Sequence, residues 1–546
     1  MSGYASGERA AVELHADVLV VGGGTGGVAA ALAAAEAGAS VVLTEPTEWI
    51  GGQLTSQAVP PDEHPWIEQF GATAAYRRFR AAVRDHYRRW YPLSGRARRS
   101  LYLNPGSGTV SAICHEPRVA LAVLEAMLEP ARRDGRLVVL TGCTPTAVER
   151  DGGRLAAVEL RDRDGSARRV TASVVLDATE TGDLLPLAGV PYVTGTESHH
   201  ETGEPDAPET GDPQMMQGFT VCFAMDHLAG EDHTIDRPEQ YDYWTSPGAP
   251  VRAYPAVGWM GSGGVLDPNP DPAGDAAVVV PSSLAGRFGP RTVDPIADLW
   301  RFRRLVARGN FDPAPPSDIT LINCPANDYV DGSIVDVSAD VAAASLEGAR
   351  QQSLSFLYWL QTEAPRADGG TGFPGLRPRG DVMGTDDGLA MAPYIREGRR
   401  MRAAVTITQN DIARSVRGDR GATRYRDSVG VGSYKIDLHP STNGGERRYD
   451  AAWPFEIPLG ALIGDEADNL IAAAKNIGTT HITNGCYRVH PVEWNIGESA
   501  GALAAFCVSG GHVPAAVRAD DGLLEDFQRA LTARGVELHW PTVAAY

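Results

Sequence analysis

Two hydrophobic rhythms share the first 180 residues of the chain. Residues 17–21 (DVLVV) are a nearly unbroken apolar run, the pattern of a strand buried on both faces, and residues 26–37 follow as an alanine-rich stretch of helical length. Apolar residues return at 39–44 and predict a second strand. From His115 the text reads as an amphipathic helix with Pro117 near its start, then a strand at 137–141, then two strands joined by the Asp151-Gly152-Gly153 turn. A short buried strand at 173–176 runs into a small polar turn, DATETGD. Strand, helix and strand followed by an antiparallel pair predict an α/β fold: a Rossmann-like dinucleotide-binding unit with a parallel sheet and a small antiparallel sheet.

Between about residues 186 and 454 this rhythm is lost, which marks an inserted α+β substrate domain. The expected division is a discontinuous binding domain (1–60, 110–185 and 455–515), a helical insertion at 61–109, the substrate domain at 186–454, and a C-terminal helix and tail at 516–546. In the insertion, Arg77, Arg80, Arg84 and Arg88 recur at helical spacing, and a solvated helix face is the favoured reading over an anion-binding patch. Residues 197–212 are acidic and rich in Pro, Gly and Thr, as in an exposed loop. Residues 351–363 read as a helix whose Phe356, Tyr358 and Trp359 belong to a core.

Bulk properties narrow the partners. The 546 residues exceed what one core usually organises, so two domains are expected. A net charge of -20 opposes nonspecific binding to nucleic acid or an anionic membrane. The six cysteines are scattered without a CxxC, so neither a redox disulfide nor a zinc site is expected, and no metal is assigned. The first sixteen residues lack a signal-peptide pattern and no run of about 18 apolar residues occurs, so a cytoplasmic protein without a membrane anchor is expected. The oligomeric state is left open.

The first strand enters Gly22, Gly24 and Gly27 at GxGxxG spacing, with Thr25 and Gly26 inside the loop. Gly22 permits the tight turn, Gly24 lets backbone approach a pyrophosphate, and Gly27 lets the helix pack close to the strand while its N-terminal N–H groups face the anion. The second strand delivers Glu45 about where the motif needs an acceptor for ribose hydroxyls, and an acid there argues against a 2′-phosphate. The motif alone does not separate NAD from FAD.

Four stretches together resemble the FAD-dependent oxidoreductases of the glutathione-reductase and fumarate-reductase-like flavoproteins. They are the glycine fingerprint, Gly51-Gly52-Gln53, the DATETGDLLPLAG turn, and NLIAAAKNIGTTHITNGCYRVHPVEWNIGESAGALAAF near the C-terminus. The resemblance implies FAD, with Gly52, Gln53 and Ala178 in its site and Asp183 on the ribityl chain. It also implies that Asn495 and Ile496 lie against the flavin pyrimidine, at the start of a helix opened by Gly497. Where relatives often have Ala-Gly-Arg, this chain has Ala473-Ala474-Lys475. The loop after Glu45 has no His or Cys where relatives carry a flavin-linked histidine, so the FAD is expected to be noncovalent.

Flavin chemistry needs a base that removes a proton beside the oxidised carbon. His481, Tyr487, Arg488, His490 and Glu493 cluster in the C-terminal loop; Arg488 and His490 alternate and would share a face of an extended segment, with Arg488 orienting an oxygen and His490 taking a proton. Tyr434, Asp437 and His439 form a second set. For each histidine, capping of the loop through backbone hydrogen bonds stands beside the catalytic reading. The glycine run 261–264 leads into proline-rich sequence, not a helix, which argues against a separate NAD(P)H domain. The expected function is transfer of a hydride from a small organic substrate (alcohol, amine or C–C unit) to FAD, with O₂ or an unidentified carrier as electron acceptor. A flavin-dependent monooxygenase and a flavoprotein with structural FAD are the alternatives.

Overall fold

The computed structural model describes residues 12–246, 299–364, 366, 369–445, 447–543 and 545. The glycine run 261–264 and the first eleven residues lie outside them. The main sheet comprises β1 (Val12–Val21), β2 (Val41–Glu45), β3 (Leu137–Thr141), β4 (Cys143–Asp151), β5 (Arg154–Asp162) and β6 (Ala167–Asp177), in the spatial order β3-β2-β1-β6-β5-β4. The strand Leu470–Ala472 pairs with the last residues of β6. β3, β2, β1, β6 and Leu470–Ala472 are parallel; β4 and β5 extend the same sheet as an antiparallel pair. β1 begins well before its apolar run and β6 well before residue 173, because their first halves are only partly covered and carry polar residues such as Glu13 and Arg169. A search for doubly buried strands finds only the second halves.

The helices that shape the site are α1 (Thr25–Glu36), α2 (Ala74–Trp90), α3 (Pro117–Arg133), α4 (Ala339–Thr362), α5 (His481–Tyr487) and α6 (His490–Gly510). α1 and α6 approach so closely that a Cβ on Gly497 would lie 1.9 Å from the Gly26 carbonyl oxygen, and one on Gly501 2.1 Å from that of Ala30. Small residues on both helices make this contact possible. α6 therefore starts seven residues before Gly497, with Pro491 in its first turn. That corrects the expectation of a helix opened by Gly497: the glycine serves helix packing, and Asn495 and Ile496 sit inside the helix.

α2 departs from the solvated-face reading. Arg80 and Arg84 are buried, Arg80 pairing with Glu63 (2.8 Å) and Glu68 (2.7 Å) and Arg84 with Glu68 (2.5 Å). The two acids come from the preceding loop, so helical spacing alone could not reveal the pairing.

A second apolar core draws only on residues between Phe219 and Ile395. Its antiparallel sheet has the order Arg304–Val306, Ile319–Ile322, Phe223–His227, Leu376–Pro378. α4 packs on it through Phe356, Leu357 and Leu360 and begins at Ala339, where the Ser338 hydroxyl caps Val341 N–H. Segments on either side, including Ile407, Val429 and Phe455, pack into the main core instead. All six cysteines are buried and unpaired. Among the described residues no helix is long and apolar enough to cross a membrane.

Candidate active site

The glycine turn between β1 and α1 has the geometry of a dinucleotide cradle. Gly22 adopts φ +100°, and a Cβ there would lie 2.3 Å from the Ala178 carbonyl oxygen. A Cβ on Gly27 would lie 1.8 Å from the Gly22 carbonyl oxygen, so that glycine brings helix and strand together. Gly51 N–H donates to Gly23 O (2.7 Å) and the Thr25 hydroxyl to Gly51 O (2.9 Å), which docks Gly52 and Gln53 against the turn. Glu45 stands at the end of β2. Its carboxylate accepts from Gly23 N–H (3.1 Å) and from the N–H and hydroxyl of Thr47 (2.8 and 2.6 Å), and burial lifts its pKa to about 7 against those bonds.

The first turn of α1 has no acid of its own, and its free N–H groups meet carboxylates from elsewhere. Glu493, in the first turn of α6, accepts from Gly26 N–H (3.3 Å) and from the Gln53 amide. Glu180 lies between the two glycine segments; its Oε1 is 2.6 Å from where a Cβ on Gly24 or Gly52 would be, and it has no hydrogen-bond partner. The buried Lys475 ammonium bridges Glu180 and Glu493, the latter at 3.2 Å. Burial works against that ammonium, but the two carboxylates outweigh it and raise its pKa. A bound dinucleotide fits this arrangement in two respects: the glycine backbone is open for close approach, and the Gln53 carbonyl and Glu180 Oε1 are buried acceptors without partners, suited to ribose hydroxyls.

Two residues expected at the cofactor point elsewhere. The Asp183 carboxylate accepts from the Thr181 hydroxyl (2.6 Å) and pairs with Arg399 (3.0 Å); within the DATETGD turn it is Glu180 that reaches the glycines. The Asn495 amide donates to Val431 O (2.9 Å), tying α6 to the strand Ser428–Gly432.

A cavity of about 130 Å³ opens between the loop carrying Asp62 and the second core. One wall is the hairpin of Ile436–Leu438 and Arg448–Asp450, in which Asp437 pairs with Tyr449. Asp437 and His439 face this cavity, whereas Leu438 and Arg448 line a separate one of about 210 Å³ on the other side. His439 Nδ1 lies 2.5 Å from Asp328 Oδ2, and its Nε2 lies 3.7 Å from Asp437 Oδ2. Asp328 is fully buried. Burial alone would raise its pKa, but Arg396 (2.9 Å) and then His439 outweigh it and hold it well below the usual carboxylate range, with help from the Thr220 hydroxyl (2.6 Å). When the ring is neutral, an ionised Asp328 keeps its proton on Nδ1, and the Nε2 lone pair is turned toward the cavity and Asp437. Asp328 has no sequence signal and lies far along the chain from His439.

The other expected catalytic residues do not gather around this dyad. His490 donates from Nε2 to Val59 O (3.1 Å) and accepts at Nδ1 from Asp62 N–H (3.1 Å), so both ring nitrogens hold the loop, and burial lowers its pKa to about 3. His481 Nδ1 lies 3.0 Å from both Glu397 oxygens, and the ring lines the other cavity. Arg488 closes α5 and His490 opens α6, so they are not on an extended segment with a common face. The Arg488 guanidinium donates to the Tyr394 hydroxyl (3.2 Å) and to Asp437 O (2.9 Å), holding the strand that leads into His439. Among the described residues no cluster of His, Cys, Asp and Glu could hold a metal.

Among solved structures, the chain is similar to the myxobacterial chondrochloren halogenase CndH, an FAD-dependent halogenase, at 15% identity over 39% of this chain and 44% of that one, with a TM-score of 0.24. It is similar to L-proline dehydrogenase from P. horikoshii at 15% identity, covering 35% and 25%, with a TM-score of 0.18. The match to a geranylgeranyl bacteriochlorophyll reductase-like protein from Thermoplasma acidophilum covers 96% of this chain and 85% of that one at 9% identity, with a TM-score of 0.34. The chain spans less than half the length of the first two. No curated protein matches it. The model of the FAD dependent oxidoreductase family matches residues 17–531. The chain therefore belongs to the FAD-dependent oxidoreductase family, and FAD is its cofactor.

Proposed function

We propose that this flavoenzyme is an oxidase or dehydrogenase that oxidises a small alcohol-type substrate in the 130 Å³ cavity, with His439 as the base. The observation that carries the reading is the Asp328–His439 pair at 2.5 Å on the wall of a cavity between the two cores. FAD, when bound, supplies the two-electron acceptor. The chain's own residues do the rest. Asp328 keeps the His439 proton on Nδ1 and stabilises the imidazolium that forms when Nε2 takes the substrate's hydroxyl proton. Arg396 keeps Asp328 ionised. Arg488 is a positioning residue that holds Asp437 and Tyr394. Electrons then pass to O₂ or another carrier, and the FAD is held noncovalently, so acid precipitation releases all of it.

The test is anaerobic stopped-flow reduction of the bound flavin, after a screen of alcohols and amines for compounds that bleach its absorbance. His439→Gln should slow reduction per bound flavin by roughly 10²–10⁴-fold. A rate close to wild type in a flavin-replete His439→Gln variant would remove the dyad from the mechanism. The same rate loss in His490→Asn without loss of stability would move the base to the C-terminal loop.

A further inference from the structure

The cavity that holds the dyad is lined by the acids Asp62, Glu63 and Asp437 and by the cations Arg303, Lys435 and Arg447, and several of its donors lack partners. Asn323 Oδ1 accepts from Arg396 (3.0 Å), and because an arginine can only donate, the Asn323 amide orientation is fixed and its Nδ2 is left without a partner at the cavity wall. Arg303 Nε and Arg447 Nε are also buried without partners on the same cavity. Arg303 is balanced by Asp62 (3.5 Å), but Lys435 and Arg447 have no carboxylate partner among the described residues. Instead both cations stack on the Tyr449 ring, at 4.5 and 4.4 Å from its centroid. Against these donors stand one unpartnered acceptor, Asp437 Oδ1, and the Nε2 of His439. Buried donors without partners are costly, and several converging on one small space call for an oxygen-rich anion.

We infer that the substrate is a small hydroxylated oxyanion, whose anionic group is taken by Lys435 and Arg447 and steadied by the Asn323 amide, with its hydroxyl turned to His439. The inference rests on the reading of this cavity as the substrate site. The volume admits on the order of five heavy atoms, the size of a short hydroxycarboxylate. Charge does not oppose such a ligand: the overall -20 is screened beyond about 8 Å, and of the lining acids Asp62 is paired with Arg303 and Glu63 with Arg80, which leaves Asp437 alone set against Lys435 and Arg447.

The test is calorimetric titration of the FAD-loaded protein with malonate, inorganic phosphate and glycerol. Malonate should bind, its affinity should fall as salt rises, and Lys435→Met with Arg447→Gln should weaken it at least tenfold while glycerol shows no binding. Phosphate binding more tightly than malonate, with the same sensitivity to the two substitutions, would support the inference and identify a phosphoryl rather than a carboxylate source. Failure of both anions to bind, or binding that the double variant does not weaken, would overturn it. Because Lys435→Met keeps an apolar stem on Tyr449, melting of the variant at the wild-type temperature guards against a folding defect. The two readings fail differently. A neutral alcohol that reduces the flavin through His439, with no anion binding, leaves the dyad standing and removes the oxyanion. Anion binding at Lys435 and Arg447 with no effect of His439→Gln on reduction does the reverse.

Discussion

On the strand Ile436–Leu438 and the residue after it, alternation alone places Asp437 and His439 on one side, and that much is legible in the sequence. What alternation cannot supply is the partner. Asp328, not Asp437, bonds His439 Nδ1, and it arrives from a different segment through the pairing of Asp328–Tyr329 with Phe219–Thr220. The same alternation misleads at Arg488 and His490, where one helix ends and the next begins with only a two-residue turn between them. The Asp328 charge makes a separate forecast. Asp328→Asn removes the anion that stabilises an imidazolium while preserving shape, so reduction per bound flavin should slow by about 10²–10³-fold, with substrate affinity little changed. Arg396 is then left buried without its carboxylate, so melting temperature should fall as well; rate and stability are read separately, on flavin-replete protein. An unchanged rate with a lowered melting temperature would assign Asp328 to structure only.

The elements of the glycine cradle are the most legible, because strand, glycines, helix and acid each impose a local requirement that sequence can meet in only a few ways. Their partners are not. Lys475 looked like a departure from a backbone pattern, yet its ammonium is the buried countercharge of Glu180 and Glu493. Lys475→Met should therefore leave two carboxylates uncompensated at the N-terminus of α1, lowering both flavin occupancy and melting temperature, by about 3–5 kcal/mol of stability if neither acid takes up a proton. Glu45→Ala acts differently: β2 keeps its pairing, and flavin retention on dilution should drop by about 1.5–3 kcal/mol of binding, a larger loss than that of folding stability, which falls through the bonds to Gly23 and Thr47. Full flavin occupancy in either variant after dilution would contradict its role. At the contact of α1 with α6, Gly497→Ala places a methyl 1.9 Å from a carbonyl oxygen, so the helices must part; loss of soluble protein or of bound flavin is the expected result.

The whole molecule keeps several ionisable groups away from water, and they pull its stability in opposite directions as pH changes. His64, His115 and His490 are buried, chiefly for that reason their pKa values fall from 6.5 to about 4, 4 and 3, and they sit near Arg80 or Arg303, whose charge opposes protonation further; Asp62 works the other way at His490. A depressed folded-state value means that the unfolded chain takes up the proton first. The stability from each histidine is thus complete above pH 6.5 and is lost as pH falls toward 4, at up to about 1.4 kcal/mol per pH unit. Glu45 and Asp177 oppose this, since burial raises both to about 7 and the folded state takes up their protons first. Their contribution is complete below the unfolded values and is lost as pH rises through 7. In wild-type protein the two effects overlap between pH 4.5 and 6.5 and flatten the profile, so single variants are needed to separate them. His490→Asn should melt below wild type at pH 7.5, where the buried imidazole's two hydrogen bonds hold the Val59–Asp62 loop, and the gap should narrow steadily as pH falls from 6.5 to 4. Glu45→Gln should show the reverse, gaining on wild type as pH rises from 4.5 to 7.5. Melting curves of flavin-free protein across that range decide both, and a gap that stays constant with pH would mean that the group in question keeps its solution pKa in the folded state.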